Sequence, residues 1–357
     1  MIPATALRRR QDEAFTRIEL MVTAATLSVL ATVSLAGLGQ AGGQSTSASC
    51  LNNHRALGTA WASYANDHSG LVVNNLNATE TLASVAAKTY LNWANNFMAW
   101  DTSGPYGQST TNLALVSSSP LFPYLQSNLF AFKCPADTYL SAAQHQARFQ
   151  WRTRSYSMNA FVGQAYATND PAAGTGKNQF FPRFRQFLQL DSIPVPAATF
   201  VFLDEHPDSI NDGLYLNDPS SSRMWTDEPA SYHNGGCSFS FADSHAELHQ
   251  WASPTTIVPV RYNYTSVIIP PTQNVDYLWV AARTSVDPTQ LALSRSPSNQ
   301  LQIVWSALPT NYILQSSDSL ASGSWTNVPA PAVLSPGQRA TTQDINAPHR
   351  FFRLIRP

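Results

Sequence analysis

The amino terminus holds an apolar run that constrains the fold of this chain more than any other feature. Three arginines, Arg8 to Arg10, precede the run, and residues 20–39 carry no charged side chain. A helix of about 20 residues is roughly 30 Å long, enough to cross a bilayer, and a positive flank is typical of the cytoplasmic side. The run therefore predicts a single membrane-inserted helix, with the rest of the chain beyond the membrane.

Three interpretations fit the run, and the carboxylate of Glu19 at its entrance separates them. An ordinary secretory signal would be cleaved after Ala41, whereas a plain anchor would keep the segment. Neither explains a charge beside lipid, which is costly unless an opposite charge neutralises it. The third interpretation is a prepilin leader: the segment Ala14–Glu19 reads A-F-T-R-I-E and resembles the prepilin cleavage and methylation motif, G-F-T-L-I-E.

This resemblance implies a role for each end of the motif. A prepilin peptidase would cut between Ala14 and Phe15 and methylate the new amino terminus. Glu19 would then pair with the terminal amine of a neighbouring subunit during filament assembly, since a buried carboxylate is stabilised by a fixed positive charge. Ala14 replaces the usual Gly, and Arg17 replaces an apolar residue.

Five later segments resemble, in the same order, the sequence blocks of a large bacterial group of type II secretion pseudopilin-like (G-type) proteins. These segments are Cys50–Asp67, Phe132–Asp137, Ser155–Asn159, Phe202–Asp208 and His233–Asp243. The last of them matches the H-x9-D-G motif of the group through His233 and Asp243, but Ser244 stands in place of Gly. The resemblance covers roughly residues 14–285.

Hydrophobic spacing predicts the elements of the middle of the chain. Leu57, Trp61 and Tyr64 recur at helical intervals, which favours an amphipathic helix that continues the membrane helix outward. The segments 232–242 and 245–251 alternate polar and apolar residues, as strands do. We expect a hairpin around Asp243 and Ser244, with Phe241 opposite Ala246.

The carboxyl-terminal section has a different pattern. Short β-type runs at 301–305, 311–316, 325–328, 340–345 and 350–355 are separated by turn residues. This spacing predicts a small β-sandwich. The pattern of Trp305, Tyr312, Leu314 and Gln315 resembles fibronectin-like modules of secreted bacterial proteins, which implies a fibronectin-like or immunoglobulin-like sandwich. The expected fold is α+β: a long amino-terminal transmembrane helix packed on an antiparallel sheet, followed by the sandwich. The predicted divisions are 1–14 (leader), 15–39 (transmembrane helix), 40–290 (pilin-like head) and 291–357 (sandwich).

Acidic and amide side chains that follow a predicted strand suggest a cation site. Asp204, Asp208, Asn211 and Asp212 offer several oxygens within a short segment, and hard cations such as calcium prefer oxygen ligands. Some pseudopilins bind calcium in a loop near the end of their sheet, so the resemblance favours this interpretation. The alternative is a turn rich in Asp and Asn without a bound ion.

The three cysteines allow one disulfide. Cys50 precedes the predicted helix and Cys134 precedes a proline, and outside the cytoplasm these two would be free to pair. Cys237 shares the apolar side of its predicted strand with Phe239 and Phe241, which indicates a buried residue. We therefore expect a Cys50–Cys134 disulfide and a structural Cys237.

Composition narrows the function classes. The net charge is −1 and there is no basic stripe, which argues against a nucleic-acid partner. We find no nucleophile elbow, phosphate-binding loop or dinucleotide fingerprint, so we expect a non-enzymatic protein. The resemblance implies a subunit of a type II secretion or type IV pilus-like filament in the inner membrane, with its head in the periplasm or outside the cell. Its partners would be the prepilin peptidase, like subunits and the secretion machinery. The alternative is a surface adhesin or glycan-binding protein that uses the prepilin export route.

Overall fold

Short strands organise the first two thirds of the described chain. A computed structural model describes residues 46–357, apart from 222, 265, 287–290, 296–299, 307–312, 322, 330–331, 336–337, 345–349 and 356–357. The first seven strands are β1 (Tyr156–Asn159), β2 (Phe200–Asp204), β3 (Leu214–Tyr215), β4 (Met224–Trp225), β5 (Gly236–Phe241), β6 (Ala246–Gln250) and β7 (Val267–Ile268). Five of them form a sheet in the order β3-β1-β2-β5-β6, while β4 pairs with β7.

Strand β2 is the middle strand of this sheet. It reads Phe-Val-Phe-Leu-Asp, and all five residues are buried, as expected for a strand covered on both faces. It pairs antiparallel with β1 and with β5, whereas β1 and β3 run parallel. The sheet is therefore mixed, and its central strand delivers Asp204 into the interior at its carboxyl end.

Seven α-helices lie within the described residues. They are α1 (residues 46–67), α2 (Ala78–Ala86), α3 (Gly104–Ser109), α4 (Leu113–Ser117), α5 (Ala142–Gln146), α6 (Pro171–Thr175) and α7 (Val275–Thr284). Five 3₁₀ turns also occur, at Phe122–Leu125, Leu129–Phe132, Leu190–Ser192, Pro196–Ala198 and Pro271–Gln273. Local polar residues start several helices: the Asn77 side chain caps α2, and Ser141 and Gln144 form a capping box at α5.

Two apolar cores hold the sheet between helices. Leu57 and Trp61 of α1 belong to the core that contains Tyr156 and Phe202. The second core joins Tyr277 and Val280 of α7 to residues of β5; its β5 members are Cys237, Phe239 and Phe241. Because side chains alternate across a strand, α1 and α7 cover opposite faces of the sheet.

The β5–β6 hairpin forms, but our predicted register is wrong by one residue. Ser240, not Phe241, lies opposite Ala246, and the loop between the strands covers 242–245. Ser244 adopts a left-handed conformation with φ of 71°, and its amide donates to the carbonyl of Phe241 at 2.8 Å. This position suits Gly best, and the extra loop residue shifts the pairing.

The carboxyl-terminal strands form two separate sheets. The strands are β8 (Ala292–Arg295), β9 (Gln300–Ser306), β10 (Ile313–Ser317), β11 (Thr326–Asn327), β12 (Ala332–Ser335), β13 (Gln338–Asp344) and β14 (Phe351–Ile355). One sheet has the order β11-β10-β14 and the other β12-β13-β9-β8. Ile303, Trp305 and Leu314 form a small core between strands of the two sheets.

The fold predicted from the sequence is wrong in its main feature. Among residues 46–357 with the gaps above, no helix is long and apolar enough to cross a membrane, and no such helix serves as a spine for one antiparallel sheet. The described chain is instead a mixed α+β structure with several small sheets. The predicted leader and transmembrane segment, with Ala14, Phe15 and Glu19, lie outside the described residues.

Candidate metal centre

Four buried side chains from distant parts of the chain meet beside the end of β2. Cys50 comes from α1, Cys134 follows the 3₁₀ turn Leu129–Phe132, Asp204 ends β2, and His233 precedes β5. One ligand atom of each residue lies within 4.8 Å of those of the other three. None of the four side chains is more than 4% exposed, so the cluster is enclosed by protein. We call these four residues the thiol centre.

Several short distances in the thiol centre join unlike atoms. The Cys50 sulfur lies 3.3 Å from Asp204 Oδ1. The Cys134 sulfur lies 3.4 Å from His233 Nε2, which is itself 3.6 Å from Asp204 Oδ2. A thiol, an imidazole nitrogen and a carboxylate oxygen thus converge on one point.

Neighbouring groups orient the two ligands that come from loops and strand ends. Ser47 Oγ lies 3.2 Å from Nδ1 of His233, which leaves Nε2 to face the sulfurs. The backbone N–H of Ser238 donates to Asp204 Oδ2 at 2.9 Å. Because His233 and Asp204 are each held by a hydrogen bond from a neighbouring residue, their orientations are fixed within the thiol centre.

His54 and Tyr156 form the inner wall of the thiol centre. His54 Nε2 lies 3.5 Å from Asp204 Oδ1, and the Tyr156 hydroxyl lies 3.3 Å from the Cys50 sulfur. The rings of His54 and Tyr156 pack with their centroids 4.3 Å apart. Among the described residues, Nδ1 of His54 has no hydrogen-bond partner although it is fully buried.

The electrostatics of the thiol centre favour the anionic forms of Asp204 and Cys50, whereas burial and the hydrogen bond to Cys50 raise the pKa of Cys134 well above the ordinary thiol value. Burial raises the pKa of Asp204, but hydrogen bonds from His233 and His54 outweigh it and hold that pKa well below its usual range. Burial also raises the pKa of Cys50, yet hydrogen bonding to Cys134, His233 and His54 leaves it well below the ordinary thiol value. Thiolate and carboxylate are the forms that bind metal ions.

The same two acidic groups, Asp204 and Cys50, raise the pKa of both histidines in this region. Burial lowers the pKa of His54, but its bonds to Asp204 and Cys50 raise it to about 9. The same balance of burial against Asp204 and Cys50 raises the pKa of His233 to about 10. The region therefore attracts positive charge strongly, whether from a proton or from a metal ion.

The predicted calcium ligands do not gather in one place. Asp204 belongs to the thiol centre, whereas Asp208 accepts from Trp100 Nε1 at 3.0 Å and Asp212 accepts from the amide of Leu214 at 2.9 Å. Among the described residues, the thiol centre is the only group of three or more His, Cys, Asp and Glu ligand atoms with this spacing. Asn211 uses its side-chain oxygen to accept from the neighbouring amide of Asp212.

The two ends of the H-x9-D motif have separate surroundings. His233 is buried in the thiol centre, while Asp243 lies in the β5–β6 loop and pairs with His245 Nδ1 at 2.5 Å. Asp243 is partly exposed, with a side-chain exposure of 38%. The two motif residues therefore lie on either side of β5 in sequence. Of the two, only His233 faces the other members of the thiol centre.

The cysteines are free thiols in this structure, so the Cys50–Cys134 disulfide stays a prediction.

Sequence reasoning named Cys50, Cys134, Asp204 and His233 for three different purposes and did not join them. It missed His54 and Tyr156, although both lie in segments that carry the pseudopilin resemblance. One feature of the sequence could have joined them: each of the four residues lies in a segment that resembles a pseudopilin block.

A second polar cluster, with three buried members, begins two residues after Asp204. It consists of His206, Asp208, Glu228 and Arg261, and we call it the Arg261 cluster. Arg261 Nη2 donates to Glu228 Oε1 at 2.9 Å, and the Arg261 amide donates to Asp208 Oδ2 at 2.6 Å. His206 Nδ1 lies 3.4 Å from Glu228 Oε2. This cluster supplies its own permanent cation.

Comparison with known proteins adds no relative. No protein-family model, curated protein or solved structure matches the chain.

Proposed function

We propose that this chain is a non-enzymatic, prepilin-like subunit of a type II secretion or type IV pilus-like filament. In this proposal a prepilin peptidase cuts before Phe15, the apolar segment anchors the subunit in the inner membrane, and Glu19 pairs with a neighbouring subunit. The residues described by the structure form the head, on the far side of the membrane. The sequence resemblance of residues 14–19 supports the first half of this proposal.

One structural observation carries the second half. The five later segments that resemble pseudopilin blocks are spread over almost two hundred residues, yet each contributes a side chain in or against the thiol centre: Cys50, Cys134, Tyr156, Asp204 and His233. A shared set of blocks that meets at one buried point is expected for a common structural core.

The burial of the thiol centre favours a structural role over catalysis. Its side chains are enclosed, and an enzyme needs a concave site that admits a substrate. The centre also joins α1 directly to β2, through Cys50 and Asp204. This contact fixes α1 on the sheet within the head, as a structural role requires.

The amino terminus tests this function. We expect the mature protein from a host with a prepilin peptidase to start at Phe15, as read by amino-terminal sequencing or mass spectrometry. Glu19→Gln is expected to insert normally but to assemble poorly, because the partner of the neighbouring amine is lost. Glu13→Gln is the matched control, since it lies in the leader and should not affect assembly. A mature terminus at Gly42, or normal assembly of Glu19→Gln, would contradict the proposal.

The adhesin alternative rests on the carboxyl-terminal sheets. Arg353 lies over the partly exposed ring of Trp325, 4.3 Å from the centroid, and such stacked pairs occur on binding surfaces. A chain that ends at residue 290 separates the two functions. If it assembles but no longer adheres to cells or glycans, the adhesin function is favoured; if it fails to assemble, the module is a filament component.

A further inference from the structure

The thiol centre has the ligand atoms and the spacing of a tetrahedral metal site. From bond lengths of about 2.3 Å to sulfur and about 2.0–2.2 Å to nitrogen and oxygen, ligand atoms around a tetrahedral zinc ion lie roughly 3.3–3.8 Å apart. As the carboxylate ligand, Asp204 Oδ2 lies 3.5 Å from the Cys50 sulfur and 3.6 Å from His233 Nε2, which is 3.4 Å from the Cys134 sulfur. All four ligand atoms are within 4.8 Å of one another.

We propose that Cys50, Cys134, Asp204 and His233 bind one zinc ion, which acts as a structural staple. This inference goes beyond the proposed filament function and does not depend on it. The four protein ligands fill a tetrahedral shell, so no position is left for a substrate or a reactive water. The site is therefore structural.

The donor set selects the class of metal. Two thiolates with one imidazole suit zinc, whereas calcium and magnesium require oxygen ligands and more of them. Copper(I) also takes thiolates, and a comparison of the two metals is therefore part of the test. A buried carboxylate as the fourth ligand adds negative charge, which favours a divalent ion over a monovalent one.

The groups behind the ligands have the arrangement that metal sites need. The imidazole of His233 has Ser47 on its far nitrogen, and Asp204 has the amide of Ser238 on one oxygen. The Tyr156 hydroxyl faces the Cys50 sulfur, to which it can donate. Such outer contacts fix the ligands in place and raise metal affinity.

Cys237 lies close to the thiol centre but is not one of its four members. It is also fully buried and lies in the neighbouring strand β5, but its sulfur donates to the backbone carbonyl of Asp204 at 3.2 Å and is not among the four clustered atoms. The geometry thus separates two ligand thiols from one packing thiol. Cys237→Ala is the matched control for changes at Cys50 and Cys134.

A zinc staple and a Cys50–Cys134 disulfide exclude each other, because the same two sulfurs are used. The metal holds residues 50, 134, 204 and 233 together, and so it ties α1 to the end of β2 and to two loops. A disulfide would join only two of these four segments. Only the zinc-bound form also uses Asp204 and His233 as ligands.

The test measures metal in the full chain, purified in mild detergent without chelator or reductant after growth with zinc. Elemental analysis is expected to find one zinc per chain in the wild type and in Cys237→Ala, and a loss of at least tenfold in Cys134→Ser. Trypsin peptides from non-reduced protein should contain no Cys50–Cys134 disulfide.

Cobalt substitution keeps the test decisive if Cys134→Ser does not fold. Wild-type chain loaded with cobalt should show thiolate charge-transfer bands in the near ultraviolet and the visible bands of tetrahedral cobalt, and added zinc should remove both. The proposal is overturned by wild-type chain that takes up neither metal, by zinc that Cys134→Ser retains at wild-type stoichiometry, by a Cys50–Cys134 disulfide in the bulk of the protein, or by protein that takes up copper but no zinc when each is supplied alone.

Discussion

The thiol centre and the Arg261 cluster lie at the two ends of one short segment, Asp204 to Asp208, and they solve the same problem differently. Both take carboxylates out of water, which is costly unless opposite charge is supplied. In the Arg261 cluster, a guanidinium contacts Glu228 at 2.9 Å and backbone amides contact Asp208. The thiol centre has no Lys or Arg among its four members; its carboxylate faces two thiols and imidazoles.

The difference shows how to separate a metal site from an ordinary buried ion pair. A buried carboxylate that already contacts a permanent cation or amide donors has partners for its charge without a bound metal ion. A carboxylate that shares its pocket with two sulfurs and an imidazole nitrogen has the ligands of a soft or borderline metal. The calcium prediction treated Asp204 and Asp208 as equal because both are acidic, while the structure places them in unlike surroundings.

The largest expected effect comes from Asp204→Ala. Asp204 contacts His54, Cys50 and the amide of Ser238, all of which are buried and lose their partner. Removal of one member of such a network costs about 3–5 kcal/mol of unfolding free energy. Denaturant unfolding of the full chain measures it, and a loss below about 1 kcal/mol would mean that the thiol centre does not stabilise the head.

Metal removal should have the next largest effect. A strong chelator is expected to lower the Tm of the wild-type chain by about 5–10 °C, since bound ligand stabilises only the folded state. Zinc added in excess should restore the Tm. Cys134→Ser should have a low Tm that does not respond to the chelator. A wild-type Tm that the chelator leaves unchanged would show that the thiol centre, like the Arg261 cluster, does not depend on a metal ion for its stability.

Arg261→Ala should have a smaller effect and should leave bound zinc unchanged. The guanidinium is 41% exposed, so solvent screens part of its interaction with Asp208 and Glu228. We expect a loss of about 2 kcal/mol in unfolding free energy, below that of Asp204→Ala. Parallel unfolding and metal analysis of the two variants checks the order; loss of zinc in Arg261→Ala would show that the clusters are coupled.

The last predicted effect is a pH dependence that belongs to the Arg261 cluster and appears only as the pH changes. Burial raises the pKa of Glu228 to about 7, although Arg261 opposes this shift. A carboxyl whose folded pKa lies above its unfolded value of about 4.5 contributes stability below that value and loses it as the pH rises through 7. Each pKa unit is worth about 1.4 kcal/mol, so Glu228→Gln should flatten the pH dependence of unfolding free energy between pH 5 and 8 by roughly 2–3 kcal/mol. An unchanged slope would place the titration elsewhere.

Helical spacing was a reliable guide to α1, because Leu57 and Trp61 pack against the sheet as their interval predicts. The same rule was less reliable for the hairpin. Alternation identifies two strands, but the register depends on the turn, and Ser244 in a left-handed conformation adds a residue to the loop. The predicted fold failed at a larger scale, since no local pattern reveals that β1 and β3 run parallel or that the carboxyl-terminal strands divide into two sheets.

The thiol centre was predictable in its residues and not in its arrangement. Cys50 and Cys134 were selected as a pair, Asp204 as an oxygen ligand and His233 as part of a motif. Residue type supports each choice, but the chain distance from 50 to 233 is closed only by the packing of α1 on the sheet. His54 was missed because a single histidine on a helix has no distinguishing neighbour in sequence.

X-ray absorption at the zinc edge of the purified full chain tests the central claim most directly. We expect one zinc ion with two sulfur atoms at about 2.3 Å and two nitrogen or oxygen atoms at about 2.0–2.2 Å. Cys237→Ala should give the same spectrum. A zinc ion surrounded only by nitrogen and oxygen, or the absence of zinc from protein grown with it, would contradict the claim.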